Sequence, residues 1–234
     1  NSLIVCNYAF DFYWTPFIFS KIAKVKEYHS SRYFVQQARA QAKGFALLGN
    51  VIQSAVERQY TNLVLLNSAE TAFYASPNQL VIPNPIAVGN YHAPLASTQV
   101  LAAGRLAPVK GFDHLIEIWA KVVQLEPDWT LSIYGQGEPE YVDYLEAKFR
   151  ELKVENKVFI CQAVPNLQET MQAYSMYLMT SHTECFPMVL LEALSVGLPC
   201  ISYDCPTGPK HILSSDQEGY LVSNQNQEAF VEKV

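Results

Sequence analysis

Two glutamates, Glu184 and Glu192, stand with seven residues between them in the run His182-Thr183-Glu184-Cys185-Phe186-Pro187-Met188-Val189-Leu190-Leu191-Glu192-Ala193. The first follows Tyr177-Leu178-Met179, an apolar run that reads as a buried strand. Glu184 therefore falls at the carboxyl edge of a sheet, where open α/β folds take up ligands. Pro187 suits the first turn of a helix, because that turn needs no backbone donor. The N–H groups of Met188, Val189 and Leu190 are then free and aimed into one crevice. A helix start attracts phosphate, its dipole contributing about 0.3–1 kcal/mol, or ~2 where partly buried. Glu192 lies a turn further in, on the face of Met188. A carboxylate is an unwelcome neighbour for phosphate, so hydroxyl groups are its expected partners. Singly, each glutamate reads as a solvated surface acid; around Phe186-Pro187 at a strand end, the pair reads as a site.

A second group lies in Gly104-Arg105-Leu106-Ala107-Pro108-Val109-Lys110-Gly111-Phe112. Gly104 ends a short apolar run, and Arg105 and Lys110 occupy the loop before a helix. The planar fork of Arg and the mobile point charge of Lys together suit a diphosphate, each charge-assisted hydrogen bond adding roughly 1.5–3 kcal/mol. A third loop, Gly135-Gln136-Gly137-Glu138, has glycines that permit close backbone approach, here read as approach to a nucleoside. Alone, the cationic loop and the glycine pair are ordinary turns; the Glu184–Glu192 run gives them meaning.

The elements that must hold these residues alternate regularly over 98–234. Strands are expected at 100–103, 131–134, 158–160, 177–179, 200–202 and 220–222. Between them, Phe112, Leu115, Ile116, Trp119, Val122 and Val123 fall at helical spacing, and further helices are expected at 141–152, 167–174 and 187–196, with the chain ending inside another. Repeated β-α units predict a parallel sheet with helices on both faces. Residues 1–85 are less orderly but also α/β, with strands expected at 2–6, 62–66 and 79–82 and one long helical region over 33–58. The Pro83-Asn84-Pro85 corner and 86–97 read as a linker. Both ends read as incomplete: the first domain lacks opening β-α units and the last helix is cut short.

Half of the 234 residues are apolar and the formal charge is −6, which excludes a basic nucleic-acid footprint. An anionic ligand must then be held by local cations and helix ends. The five cysteines show no metal-site spacing and read as reduced thiols of a cytosolic protein. No apolar run approaches the roughly 20 residues of a membrane span, and the opening residues have no signal-peptide pattern.

Taken together, Ala102-Ala103-Gly104-Arg105 with Lys110-Gly111-Phe112, Ile133-Tyr134-Gly135-Gln136-Gly137, the run 184–192 and Gly197-Leu198-Pro199 resemble glycosyltransferase family 4, the retaining enzymes of the GT-B fold. The stretch 202–209 resembles that of bacterial members that build surface polysaccharide or lipooligosaccharide. The resemblance implies a Rossmann-like donor domain over 98–234 and part of a second Rossmann-like acceptor domain over 1–85. It implies transfer of a sugar from a nucleotide diphosphate sugar, UDP-linked as a family-level expectation, to a glycan or lipid-linked acceptor. Arg105 and Lys110 would neutralise the departing diphosphate, and Glu184 would contact the sugar near its anomeric carbon. Gly104 and the backbone from Phe186 through Pro187, Met188, Val189 and Leu190 would hold phosphate and sugar hydroxyls. Glu192 would grip the ribose, and the base would rest near Gly135 and Val164. Front-side attack by the acceptor is the account the resemblance favours.

No metal and no other cofactor is implied, in keeping with the missing Asp-x-Asp cluster. His29, in Glu27-Tyr28-His29-Ser30, resembles an acceptor-domain histidine near the sugar. Lipid-borne acceptors imply peripheral membrane association at the inner, cytoplasmic face, although no basic amphipathic helix is evident. Cys185, Gln162 and His211 depart from the family pattern. Two other readings share the architecture: a nucleotide-sugar 2-epimerase, and a nucleotide-binding piece with no activity of its own.

Overall fold

In the computed structural model, which describes residues 2–7, 11–18, 21–40 and 43–234, the chain forms two compact units, 1–84 and 85–234. The first unit holds strands β1 (Leu3–Cys6) and β2 (Ala23–Tyr28), helices α1 (Tyr33–Ala40) and α2 (Phe45–Glu57), then β3 (Asn62–Leu65) and β4 (Gln79–Val81). The strands form a parallel sheet in the order β1-β2-β3-β4. The helical region expected over 33–58 is two helices with Lys43 and Gly44 between them, and its residues 41–42 lie outside the described residues. Glycine is among the weakest helix formers, which places the break.

Sequence periodicity missed β2. Lys24 and Lys26 alternate along it as solvent-facing residues would, yet both are only 4% exposed. Lys26 Nζ donates to Cys6 O at 3.1 Å. The unit's apolar core gathers Cys6, Phe12, Val56, Tyr60, Leu63, Leu65 and Tyr74. Beside it the buried Arg32 pairs with Glu57, and its guanidinium lies 3.9 Å from the Tyr74 ring centroid and 4.7 Å from that of Tyr28.

The second unit runs β5 (Gln99–Ala103), α3 (Phe112–Leu125), β6 (Thr130–Tyr134), α4 (Pro139–Leu152), β7 (Val158–Cys161), α5 (Leu167–Met171) and β8 (Met176–Met179). It continues through α6 (Met188–Ser195), β9 (Cys200–Asp204), β10 (Gly219–Ser223) and α7 (Gln227–Lys233). All six strands are parallel, in the order β10-β9-β8-β5-β6-β7. The central strand β5 has Val100, Leu101 and Ala102 fully buried, the uninterrupted apolar run that a strand covered on both faces requires.

Helix α3 seals one face with Phe112, Leu115, Ile116, Trp119 and Val122, spaced as the sequence predicts. The Trp119 indole donates to Lys157 O at 3.1 Å, so its polar edge is satisfied. Helix α6 supplies Leu190 and Ala193 to the core on the other face. Asparagine side chains accept from backbone N–H groups to cap the two shortest helices, Asn166 for α5 and Asn226 for α7.

The stretch 86–97, read from sequence as a linker, belongs to the second unit and is bonded to it. Ala93 N donates to Val196 O at 2.8 Å, Gln168 Nε2 to Ala87 O at 2.9 Å and Asn166 Nδ2 to the Tyr91 hydroxyl at 2.7 Å. These tie the segment to α5 and the end of α6. Among the described residues no helix is long and apolar enough to cross a membrane.

Candidate active site

The chain leaves β5 toward β6 and β7 on one side, then crosses to β8 on the other. The crevice between the carboxyl ends of β5 and β8 is therefore the switch point of the sheet, the place where such folds bind ligands. Both loops carrying the expected site open there, and they are bonded to each other. His182 N donates to Val109 O at 2.8 Å, and Thr180 Oγ1 donates to Gly111 O at 2.8 Å. Gly111 is required at this joint: its φ is +62°, and a Cβ there would lie 2.2 Å from Thr180 O.

This joint brings Lys110 against the first glutamate. Lys110 Nζ donates to Glu184 Oε1 at 2.5 Å, with the side chains 23% and 12% exposed. Ser181 Oγ donates to the same oxygen at 2.7 Å. The backbone of Glu184 is clamped by the loop after β9: Glu184 N donates to Pro206 O at 2.8 Å, and Thr207 N and Gly208 N donate to Glu184 O at 2.7 and 2.8 Å. Burial, and then the adjacent His114 ring, lower the His182 imidazole from its ordinary value.

A cleft of ≈ 580 Å³ opens alongside, lined by Gly104, Arg105, Tyr134, Gly135, Val164, Leu167 and Val189 among others. Arg105 is exposed on its wall, without a hydrogen-bond or ion-pair partner among the described residues. The cleft is built by loops that prolong the ladder beyond the strands. Gly104 N donates to Tyr134 O at 3.0 Å, Leu106 N to Gln136 O at 2.7 Å and Gly135 N to Cys161 O at 3.0 Å. A Cβ on Gly135 would meet Gly104 O at 2.0 Å, and one on Gly137 would meet Leu106 O at 2.1 Å. The close approach these glycines allow is thus between neighbouring loops, where the sequence reading has a nucleoside; the cleft lies over the packed pair.

Helix α6 starts at Met188, one residue later than expected. Pro187 sits in extended backbone at the N-cap, and Leu190 N donates to Pro187 O at 3.1 Å. Of the three amides expected to be free, those of Met188 and Val189 have no acceptor among the described residues, whereas that of Leu190 is taken by the cap turn. Phe186 precedes them, packed against the core on the α6 side of the sheet. Glu192 is half-buried, its carboxylate accepts no hydrogen bond among the described residues, and burial raises its pKa above the ordinary value.

Arg105, Lys110, Glu184, the α6 amides, Val164 and Gly135 thus gather around one end of one sheet. His29 lies in the first unit, exposed at the end of β2 on the rim of a ≈ 360 Å³ cleft, its Nε2 3.3 Å from Glu27 Oε2. Sequence reasoning missed Ser181 and the Thr207 and Gly208 amides. A serine placed three residues before an acid just after a strand is the only signal that marks Ser181, and nothing local marks two amides that act from another loop.

Residues 90–234 match the family described as glycosyl transferases group 1. An uncharacterized glycosyltransferase of Haemophilus influenzae is 32% identical over 149 residues, which are 64% of this chain and 42% of that protein. The amylovoran biosynthesis glycosyltransferase AmsD of Erwinia amylovora is 39% identical over 132 residues, 56% of this chain and 36% of that protein. The fold matches that of a TarM variant from S. aureus, solved with fondaparinux, α-GlcNAc-glycerol and UDP, with a TM-score of 0.84 and 21% identity. That likeness covers 99% of this chain and 47% of TarM, and it gives the architecture as GT-B. The chain spans less than half the length of each of these three proteins.

Proposed function

The chain belongs to the glycosyl transferases group 1 family, and from that premise we propose that it provides the donor site of a retaining transferase. The transferase moves a sugar from a nucleotide diphosphate sugar, UDP-linked in this reading, to a glycan or lipid-linked acceptor during synthesis of a bacterial surface polysaccharide. One observation carries the proposal: Lys110, Glu184 and the free amides of Met188 and Val189 lie at the end of the same crevice as the Arg105 cleft. AmsD, named for amylovoran biosynthesis, supports the product class, and the UDP held by TarM supports the nucleotide.

The chemistry follows from where charge develops. Breaking the glycosidic bond to the diphosphate leaves positive character on the anomeric carbon and negative charge on the leaving group. The amides of Met188 and Val189 are fixed donors for that negative charge, and Arg105 and Lys110 are cations within the same crevice, so together they stabilise the transition state more than the ground state. Glu184 faces the sugar side, where a carboxylate stabilises an oxocarbenium-like centre. Glu192 accepts from the ribose hydroxyls, and the base rests against Val164 and Gly135. His29 is assigned to the acceptor side. In this reading Arg105 and Lys110 neutralise the diphosphate without a metal, and the reaction runs at the cytoplasmic face of the membrane. The retaining outcome rests on the resemblance of the 184–192 run to glycosyltransferase family 4.

The test is a panel of UDP- and GDP-sugars offered to the full-length protein, reading released nucleotide diphosphate, with and without EDTA. One UDP-sugar is expected to turn over at an EDTA-independent rate, and Glu184→Ala is expected to lower that rate by roughly 10²–10³-fold. Unchanged turnover in Glu184→Ala overturns the assignment.

A further inference from the structure

We propose that Ser181 is a positioning residue that holds the Glu184 carboxylate in its working orientation once the donor has drawn Lys110 away; the inference rests on the donor-site reading above. Ser181 is only 2% exposed and lies two residues beyond the end of β8. Its hydroxyl donates to Glu184 Oε1 at 2.7 Å, and Lys110 Nζ donates to the same oxygen at 2.5 Å. Oε2 accepts no hydrogen bond from any described residue. The carboxylate is therefore pinned through one oxygen and presents the other.

The two pins differ in kind. Lys110 carries its charge on a flexible four-carbon stem, and a diphosphate in the crevice competes for that ammonium. Ser181 has a single side-chain torsion, is buried, and offers no charge for phosphate to attract. With Lys110 turned to the diphosphate, Ser181 is, among the described residues, the side chain still donating to the Glu184 carboxylate. The main chain of Glu184 is already fixed by Pro206, Thr207 and Gly208, so the freedom left for Ser181 to remove is that of the side-chain torsions that aim the carboxyl group. A misaligned carboxylate weakens the sugar-side contact in the transition state and leaves nucleotide binding alone.

The experiment compares Ser181→Ala and Ser181→Thr with wild type in the full-length protein. It measures kcat and donor KM with the UDP-sugar found to turn over, UDP affinity by calorimetry, and melting temperature. Loss of a hydrogen bond to a charged group predicts a kcat roughly ten- to a hundred-fold lower in Ser181→Ala. UDP affinity should stay within about two-fold of wild type, and Ser181→Thr, which keeps the hydroxyl, should recover most of the rate. A Ser181→Ala kcat equal to wild type overturns the proposal. So does a parallel fall of kcat, UDP affinity and melting temperature in both variants, which marks a structural role. If Glu184→Ala itself turns over normally, the donor-site reading fails and takes the positioning role with it. Loss of turnover in Glu184→Ala with a wild-type Ser181→Ala removes the positioning role alone.

Discussion

Glu192 is a residue where the proposed binding role would be set against stability. Its carboxylate is half-buried with no protein donor, and burial raises its pKa above the ordinary value of 4.5. The folded chain therefore binds that proton more tightly than the unfolded chain does. The ionised group destabilises the fold above its raised folded pKa, and the penalty disappears as pH falls below the unfolded value. Glu192→Gln should accordingly raise the melting temperature at pH 7, with the gap closing as the buffer is acidified toward the ordinary carboxylate range. The same change should weaken UDP binding, because the ribose hydroxyls lose a charged acceptor; roughly ten-fold or more is expected by calorimetry. An unaltered UDP affinity would remove Glu192 from the site.

At this scale the sequence reveals charge and spacing well and partnership poorly. The Glu184–Glu192 run, Arg105 and Lys110 stand out because their types and positions are unusual for loops beside apolar strands. That Lys110 is bonded to Glu184 is not legible, since they lie 74 positions apart in the chain. Nor is the loss of the Leu190 amide to Pro187, which turns on whether proline is the cap or the first helical residue.

Among elements, the joint between the loop after β5 and the loop after β8 decides whether the site exists. Gly111 combines a left-handed backbone with a gap that a methyl group would close against Thr180 O. Gly111→Ala should cost at least about 1–2 kcal/mol from the left-handed conformation alone, and the clash adds to it. Because the loop also carries Lys110, the substitution should weaken UDP binding as well. Chemical denaturation together with calorimetry checks both, and a neutral outcome would mean the loop moves freely. Strands β5 and β6 and helix α6 are legible because each is an apolar stretch closed by a glycine, at Gly104, Gly135 and Gly197. Strand β2 is not, because Lys24 and Lys26 reverse the usual rule by pointing their charges into the covered side.

Across the whole molecule, each unit gathers apolar core of its own, around Leu63 and Leu65 in 1–84 and on the two faces of β5 in 85–234. Damage to one should therefore leave the other intact. Glu57→Ala strands the buried Arg32 guanidinium without its counter-charge, a change that typically costs roughly 3–5 kcal/mol. That loss should fall on residues 1–84, read as faster amide hydrogen exchange across them, while UDP affinity at residues 85–234 stays within about two-fold. A collapse of nucleotide binding in Glu57→Ala would show that the units depend on each other for stability.

The Lys110–Glu184 pair also bears on how a turnover ends. In the proposed reaction, a carboxylate kept within reach of that ammonium acts as an internal rival to the nucleotide diphosphate left behind after transfer. Each departing product is pushed out by an anion that never diffuses away and so has a high effective concentration. In the proposed reaction this forfeits some affinity for the nucleotide and quickens its escape, the step that limits many well-evolved enzymes. The resting enzyme is returned to charge balance without recruiting an ion from solution.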